Sequence, residues 1–181
     1  MAALPTVYFT ETGKEITVRI AQPEDALALL ELKLNYIKDT ITIPMYEYEY
    51  KNDIAQEKQL IERYLNEDNS ILLVAQHANT LIGNLDVTGS QRKKLFHTGM
   101  IGMGVAYNWQ NLKIGSFLME SALLWATQNE HIKLLWLDVY STNAPAIRLY
   151  EKFRFMHAGT IKNFVNDKEF TDKLTMVNYL K

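Results

Sequence analysis

The stretch Val105–Leu118, VAYNWQNLKIGSFL, joins a strand pattern to the strongest helix pattern of the chain. Before it, Phe96–Ala106 is largely apolar and carries three glycines, which in a strand mark a bulge or a close backbone approach. After it, Ile114–Asn129 has apolar residues at helical spacing. A strand, a short turn and a helix N-terminus can bind an anion, because the first helical N–H groups lack helical partners. The turn is neither a Walker A loop nor a GxGxxG fingerprint, so an ordinary connection remains the alternative.

Outward from this stretch, the chain alternates between strand and helix patterns. A helical pattern follows Pro23, another begins near Asn52 or Asp53, and Asn143 can cap a further helix. The strand patterns are Ile16–Ala21, Ile71–Ala75, Leu81–Val87, Leu134–Val139, Phe155–Ile161 and Leu174–Leu180. The resulting order, β-α-α-β-β-β-α-β-α-β-β, predicts a mixed α/β fold.

Chain length and composition predict a single globular domain. The 181 residues, 48% of them hydrophobic and 22% charged, can bury a core without disulfides. We assign residues 15–181 to this domain and residues 1–14 to an N-terminal extension. No stretch has the length of a membrane span and no signal peptide is evident, so we expect a cytoplasmic protein that binds no membrane.

Charge and cysteine content exclude several classes of function. The 19 Lys and Arg residues nearly balance the 21 Asp and Glu residues, so nothing in the net charge favours nucleic-acid binding. The absence of cysteine rules out a disulfide scaffold, a thiolate zinc site and a cysteine nucleophile. The four histidines have no ligand-like spacing, so we expect no metal.

Two motifs resemble those of the GNAT superfamily of N-acetyltransferases. The segment Gln110–Gly115 is similar to the family's Gln/Arg-x-x-Gly-x-Gly/Ala motif, and Asn143–Phe155, NAPAIRLYEKFRF, is similar to Asn-x-x-Ala-x-x-Leu-Tyr-x-Lys-x-Gly-Phe. The element order also agrees from about residue 15 to the end. Two positions depart from the family: Lys113 replaces a glycine of the first motif, and Arg154 replaces the glycine before Phe155. The N–H of residue 113 can still bind an anion if the position does not need a positive φ, and Arg154 should affect stability more than chemistry.

The resemblance implies a single domain with a mixed, mostly antiparallel sheet flanked by helices, which binds acetyl-CoA. In the family, a bulge splays the strands beside the pantetheine arm and aims an N–H at the thioester carbonyl. Tyr150 would protonate the departing thiolate as general acid, although a core tyrosine is the alternative. Asn143 would contact the cofactor arm. The pyrophosphate would be bound by Gln110, Asn111, Leu112, Lys113, Ile114, Gly115 and Ser116, and the pantetheine arm by Met103, Gly104 and Val105.

The general base and the acceptor site are less clearly marked. Asp86 and His97 are candidates for the base, directly or through water. In the family, the connection between the first two helices lines the acceptor site. Here its aromatic rings and carboxylates would suit a cationic amine, although a solvated stretch with inward tyrosines is the alternative. The residues concerned are Tyr46, Glu47, Tyr48 and Glu49.

The resemblance therefore implies direct acetyl transfer to a primary amine. The acceptor would be a small polyamine-like amine or a peptide N-terminus, because the C-terminal stretch resembles the branch with polyamine and ribosomal-protein N-terminal acetyltransferases. The alternatives are a catalytically silent acyl-CoA-binding module on the same fold and an unrelated α/β nucleotide-binding enzyme. A homodimer is the expectation from the family.

Overall fold

One eight-stranded sheet runs through the computed structural model, which describes residues 4–180. The strands lie in the order β1-β2-β3-β4-β5-β6-β8-β7. All neighbouring pairs are antiparallel except β5 and β6, which are parallel. This confirms the predicted mixed, mostly antiparallel sheet. The strands are β1 (Thr6–Phe9), β2 (Glu15–Ile20), β3 (Ile71–His77), β4 (Thr80–Gly89), β5 (Thr98–Val105), β6 (Leu134–Tyr140), β7 (Met156–Asp167) and β8 (Glu169–Tyr179).

Helices cover both faces of the sheet. The helices are α1 (Ala26–Asp39), α2 (Ile54–Asn66), α3 (Ile114–Gln128) and α4 (Ala144–Lys152). The continuous apolar run of β3 is explained by burial on both faces. Leu73 belongs to the core beneath α3, whereas its neighbours Leu72 and Val74 belong to the core beneath α1 and α2.

The sheet begins earlier in the chain than the sequence patterns indicate. Residues 6–9, within the segment assigned as an N-terminal extension, form β1 and pair with β2. Tyr8 anchors β1 on α3, because its ring stacks on Phe117 at 4.5 Å and its hydroxyl shares a hydrogen bond with Ser121. The predicted element order therefore lacks its first strand.

Strands β5 and β6 separate partway along their length. They pair only between Thr98–Met100 and Leu134–Trp136, after which β5 stays with β4 and β6 stays with β8. The resulting cleft is the splay that the family resemblance implies. Its cause differs from the expected bulge, because the β4–β5 register is continuous and the nearby irregularity lies between β3 and β4, at Ala75 and Gln76.

Candidate active site

A cavity of about 690 Å³ occupies the cleft between β5 and β6. It extends from the N-terminus of α3 and the first turns of α4 to the end of α1 and the connection that follows α1. Of the residues predicted to bind the cofactor, all but Leu112 line this cavity, and Tyr150 lines it too. Leu112 packs against the main core instead.

The free edge of β5 supplies hydrogen-bonding groups to this cleft. Backbone groups alternate in direction along a strand, and Ala106 N–H donates to Ile82 of β4 while the His97 carbonyl on the opposite edge accepts from Leu134 N–H. By this alternation, the N–H groups of Met103 and Val105 point away from β4 into the cleft. Within residues 4–180, neither of these two N–H groups has a hydrogen-bond partner. An extended ligand could pair with this edge as an additional strand would.

The glycines of β5 make room for two side chains on the face covered by α1 and α2. A Cβ at Gly104 would lie 2.3 Å from the ring of Tyr36, and one at Gly102 would lie 2.8 Å from Asp86 Oδ1. Both glycines line the cavity, as does Tyr36. Glycine in a strand marks either a bulge or a close approach of other atoms to the backbone, and here these two glycines allow a close approach.

The turn before α3 leaves the N-terminal N–H groups of this helix available. Lys113 precedes the helix in the N-cap position, and no side chain caps the first turn. The N–H groups of that turn have no helical partners, so they can bind an anion. Lys113 has a φ of 65°, so its position is one that favours glycine. The expectation from the sequence assumed that this position does not need a positive φ, and the structure shows that it does. Its Nζ lies 2.7 Å from Glu11 Oε1.

The motif in α4 places Tyr150 at the cavity with its hydroxyl free. Asn143 caps the helix by accepting from Ala146 N–H at 3.3 Å, and it lines the cavity. The ring of Tyr150 is buried, yet its hydroxyl has no hydrogen-bond partner in the described part of the chain. Burial raises the pKa of Tyr150 to about 12, so the hydroxyl remains protonated and able to donate at neutral pH.

Of the two base candidates, Asp86 lies beside the cavity and His97 does not. Tyr64 and Thr88 donate to Asp86 Oδ2, whereas Oδ1, beside Gly102, has no partner among residues 4–180. Burial raises the pKa of Asp86 above its ordinary value, although these hydrogen bonds oppose the shift. His97 is exposed just before the first residue of β5, at the opposite end of the strand from Val105 and outside the cavity lining, so its position does not suit a base.

The four residues predicted to bind the acceptor lie outside the cavity lining. Tyr46 stacks on Tyr48, Glu49 accepts from the Tyr46 N–H, and the Tyr46 hydroxyl donates to Asp167 of β7, while the four side chains remain exposed. The predicted connection does line the cavity, but through Thr40, Thr42, Ile43 and Pro44.

The three comparisons with known proteins agree on one family. The family model described as "Acetyltransferase (GNAT) family" matches residues 36–155. The chain belongs to the GNAT family of acetyltransferases. It is 26% identical to the L-amino acid N-acetyltransferase AaaT of Escherichia coli (strain K12) over 165 residues, which are 90% of this chain and 96% of that protein. As a GNAT protein, it is an acyltransferase of the acetyl-CoA-dependent N-acetyltransferase type.

Solved GNAT structures share the fold described above. An acetyltransferase from Streptococcus pneumoniae superposes with a TM-score of 0.89 at 24% identity, over 92% of this chain and 99% of that one. The structure of yncA from Salmonella typhimurium, described as a putative acetyltransferase with its cofactor acetyl-CoA, superposes with a TM-score of 0.76 at 17% identity, over 92% and 94% of the two chains.

Arg154, the second departure from the GNAT motifs, also lies where the backbone geometry favours glycine. Arg154 has a φ of 65°, in the left-handed region where glycine is favoured. Its N–H donates to Glu151, and the Phe155 N–H donates to Tyr150, which is the hydrogen-bond pattern of a Schellman motif. The rings of Tyr150 and Phe155 lie 6.1 Å apart, as the hydrophobic contact of this motif requires. Arginine therefore occupies the left-handed position that follows the C-cap residue Phe153 of this GNAT helix.

Sequence reasoning missed the residues that the rest of the fold brings to the GNAT cavity. Tyr36 comes from α1, Asp138 from β6, Phe164 from β7 and Lys173 from β8. None of these four residues stands in a motif. The one signal in the sequence was Asp138, a charged residue within the predicted buried strand Leu134–Val139.

Nowhere between residues 4 and 180 do three His, Cys, Asp or Glu side chains gather in a way that suits a metal ion. Among the same residues, no helix is long and apolar enough to cross a membrane.

Proposed function

We propose that this GNAT protein transfers the acetyl group of acetyl-CoA directly to the primary amine of a second substrate. The observation that carries the proposal is the cleft between β5 and β6, where a strand edge and the Tyr150 hydroxyl, both without partners among residues 4–180, face one cavity. When bound, acetyl-CoA supplies the activated thioester. The protein's own groups position it and move the protons.

The shape and donors of the cleft fit acetyl-CoA. The uncapped first turn of α3, with Gly115 and Ser116 in the cavity lining, offers N–H donors to the pyrophosphate. The N–H groups of Met103 and Val105 suit the amides and thioester carbonyl of the extended arm. An N–H that points at this carbonyl stabilises the negative charge that develops on its oxygen.

Asp86 is the group that we assign to take a proton from the amine. Its Oδ1 is unpartnered among the described residues and lies beside Gly102 of the cavity lining. The carboxylate first attracts the ammonium form of the acceptor and then accepts the proton that this form loses. Because burial raises the pKa of Asp86, the carboxyl protonates at a higher pH than an ordinary aspartate does.

Tyr150 is the group that we assign to donate a proton to the departing thiolate. Its hydroxyl is free within residues 4–180 and belongs to the lining of the cleft. No covalent enzyme intermediate is required, since the amine can attack the thioester itself, and the chain has no cysteine to serve as nucleophile. One relative is named as an L-amino acid N-acetyltransferase, which supports an amine as acceptor.

The test is release of free CoA from acetyl-CoA in the presence of a panel of primary amines, measured from pH 5 to pH 9. We expect amine-dependent release whose kcat/KM falls on the acid side, as Asp86 becomes protonated. Asp86→Asn should lower kcat/KM about 10²- to 10⁴-fold and remove that acid limb. Binding of acetyl-CoA without release of CoA for any amine would favour the catalytically silent module instead.

A further inference from the structure

We propose that the acceptor is a small amino acid with an apolar side chain, and that Lys173 binds its carboxylate. This inference rests on the proposed acetyl transfer and narrows the substrate of the same site. Lys173 lies on β8, which pairs with β6 on one side of the cleft, and it lines the same cavity as Gly102 and Tyr36.

Lys173 is held in position by two neighbours and keeps one donor free. Its Nζ lies 2.6 Å from Asp138 Oδ2 and 4.3 Å from the centre of the Phe164 ring. A lysine ammonium has three N–H donors, so one remains for a ligand after these two contacts. The Lys173 side chain is 17% exposed, and a mostly buried charge attracts an opposite charge more strongly than a solvated one does.

The partner of Lys173 has less capacity for a ligand. Asp138 Oδ2 accepts from Lys173, and Asp138 Oδ1 accepts from the Thr175 hydroxyl at 2.6 Å. Each carboxylate oxygen of Asp138 therefore already accepts one hydrogen bond from the protein, whereas one N–H donor of Lys173 contacts neither Asp138 nor Phe164. This arrangement favours a carboxylate on the acceptor over the second ammonium of a diamine or polyamine.

The two ends of an amino acid match the two polar walls of the cavity. Its ammonium group suits Asp86 Oδ1 on the β4 side, and its carboxylate suits Lys173 on the β8 side. Apolar residues also line the cavity, and they suit an aliphatic or thioether side chain. The apolar residues are Ile43, Pro44, Met100 and Phe164.

A contact between the two walls favours a small acceptor over the N-terminus of a folded protein. Pro44, in the connection after α1, and Phe164, on β7, both line the cavity, and a few residues further along these segments the Tyr46 hydroxyl donates to Asp167 Oδ1 at 3.1 Å. Asp167 is the last residue of β7, the strand whose Phe164 lines the cavity. The contact thus links the connection after α1 to β7 close to two lining residues, and we infer that it leaves less room for a protein chain than for a small acceptor.

The test compares three acceptors of the same shape: L-leucine, L-leucinamide and 3-methylbutylamine. For the wild-type protein we expect kcat/KM to be highest for leucine. Lys173→Met should lower kcat/KM for leucine about 10- to 100-fold more than for 3-methylbutylamine, because a charge-assisted hydrogen bond is lost. Lys173→Arg should restore most of the preference, since it keeps the cation.

Two further variants control for folding and for general charge. Lys162→Met removes another lysine of the same hairpin, which pairs with Asp172 at 2.6 Å outside the cavity, and should leave the preference unchanged. The double variant Asp138→Asn with Lys173→Met leaves no unpaired carboxylate, so it should fold as the wild type does while still lacking the preference. An unchanged preference in both Lys173→Met and the double variant would overturn the proposal, as would a wild-type preference for diamines that Asp138→Asn removes.

Binding of the same three compounds to the complex with free CoA, measured by calorimetry, separates this inference from the proposed function. If no amine is acetylated but leucine binds this complex in a manner that depends on Lys173, the carboxylate site stands and the transferase proposal fails. If amines are acetylated without regard to a carboxylate, the transferase proposal stands and this inference is wrong.

Discussion

The backbone carbonyl and the side-chain hydroxyl of Tyr150 have different roles. Its backbone carbonyl accepts the Phe155 N–H that closes the end of α4, and its hydroxyl lies free at the cavity among the described residues. The backbone bond fixes the position of the residue, so the hydroxyl is held at the cleft without a hydrogen bond of its own. This arrangement is suited to a proton donor that must act on a ligand.

Replacement of Tyr150 by phenylalanine should therefore affect turnover more than binding. We expect Tyr150→Phe to lower kcat about 10²- to 10⁴-fold, as for loss of a general acid, while the Kd for acetyl-CoA changes by less than about threefold. Since the pKa of Tyr150 is about 12, ionisation of this hydroxyl should not reduce the wild-type rate below about pH 11. Steady-state kinetics and calorimetric titration measure the two quantities.

The matched control is Tyr107→Phe, because Tyr107 is an exposed tyrosine outside the cavity lining. It should match the wild type in both kcat and Kd. A Tyr150→Phe enzyme with wild-type kcat would show that the hydroxyl is only part of the core.

Arg154 should lower the free energy of unfolding, because its φ lies in the left-handed region. Glycine adopts a φ of 65° without the Cβ conflict, so Arg154→Gly should raise the free energy of unfolding by about 1 kcal/mol. For a chain of this length, the Tm would rise by about 2–4 °C. Arg148→Gly, in the middle of the same helix and equally exposed, should lower stability by about the same amount. Thermal unfolding of the two variants would contradict this account if both lost stability.

At the scale of elements, β5 depends on glycine where α1 approaches it. A methyl group at Gly104 would meet the Tyr36 ring at 2.3 Å, so Gly104→Ala should displace this ring from the acceptor end of the cavity. We expect a loss of about 1–3 kcal/mol in stability and a raised KM for the amine, with a smaller effect on the KM for acetyl-CoA.

Gly159→Ala on β7 provides the comparison for Gly104→Ala. No atom lies within 4 Å of a Cβ at Gly159, so the same chemical change should leave both stability and KM close to their wild-type values. Equal behaviour of the two variants, in unfolding and in kinetics, would show that Tyr36 does not define the acceptor site.

The elements that sequence patterns predicted correctly are those whose residues interact locally. Asn143 and Tyr150 lie within one helix and its caps, and the turn before α3 adjoins the strand that precedes it. Tyr36 and Lys173 reach the cavity only because α1 covers β5 and because β8 inserts between β6 and β7. Such long-range placement leaves no periodic signal in the sequence.

Local patterns also failed where a short element relies on tertiary contacts. Strand β1 has only four residues, and its place in the sheet depends on the packing of Tyr8 against α3. The turn around Tyr46 and Glu49 has the composition of an amine site, yet these groups hydrogen-bond and stack among themselves or bridge to β7. The family resemblance indicated a connection that does line the cavity, but composition did not show which of its side chains face inward.

At the scale of the whole molecule, the proposed function divides one cavity between two substrates. The α3 and α4 end presents N–H groups and Tyr150, whereas the α1 and β8 end presents Tyr36 and Lys173. The splay of β5 from β6 makes both ends parts of one cleft, so a thioester and an amine can meet there without a covalent enzyme intermediate. This division predicts that acetyl-CoA binds in the absence of the amine.

Thermal unfolding with and without acetyl-CoA is the most direct measurement of that claim. A ligand present at about 100 times its Kd adds about 2.7 kcal/mol to stability, which for this chain length corresponds to a Tm increase of about 5–11 °C. We predict such an increase with acetyl-CoA and none with ATP or NAD at the same concentration. An unchanged Tm at millimolar acetyl-CoA, or an equal increase with ATP, would contradict the assignment of this cleft to acetyl-CoA.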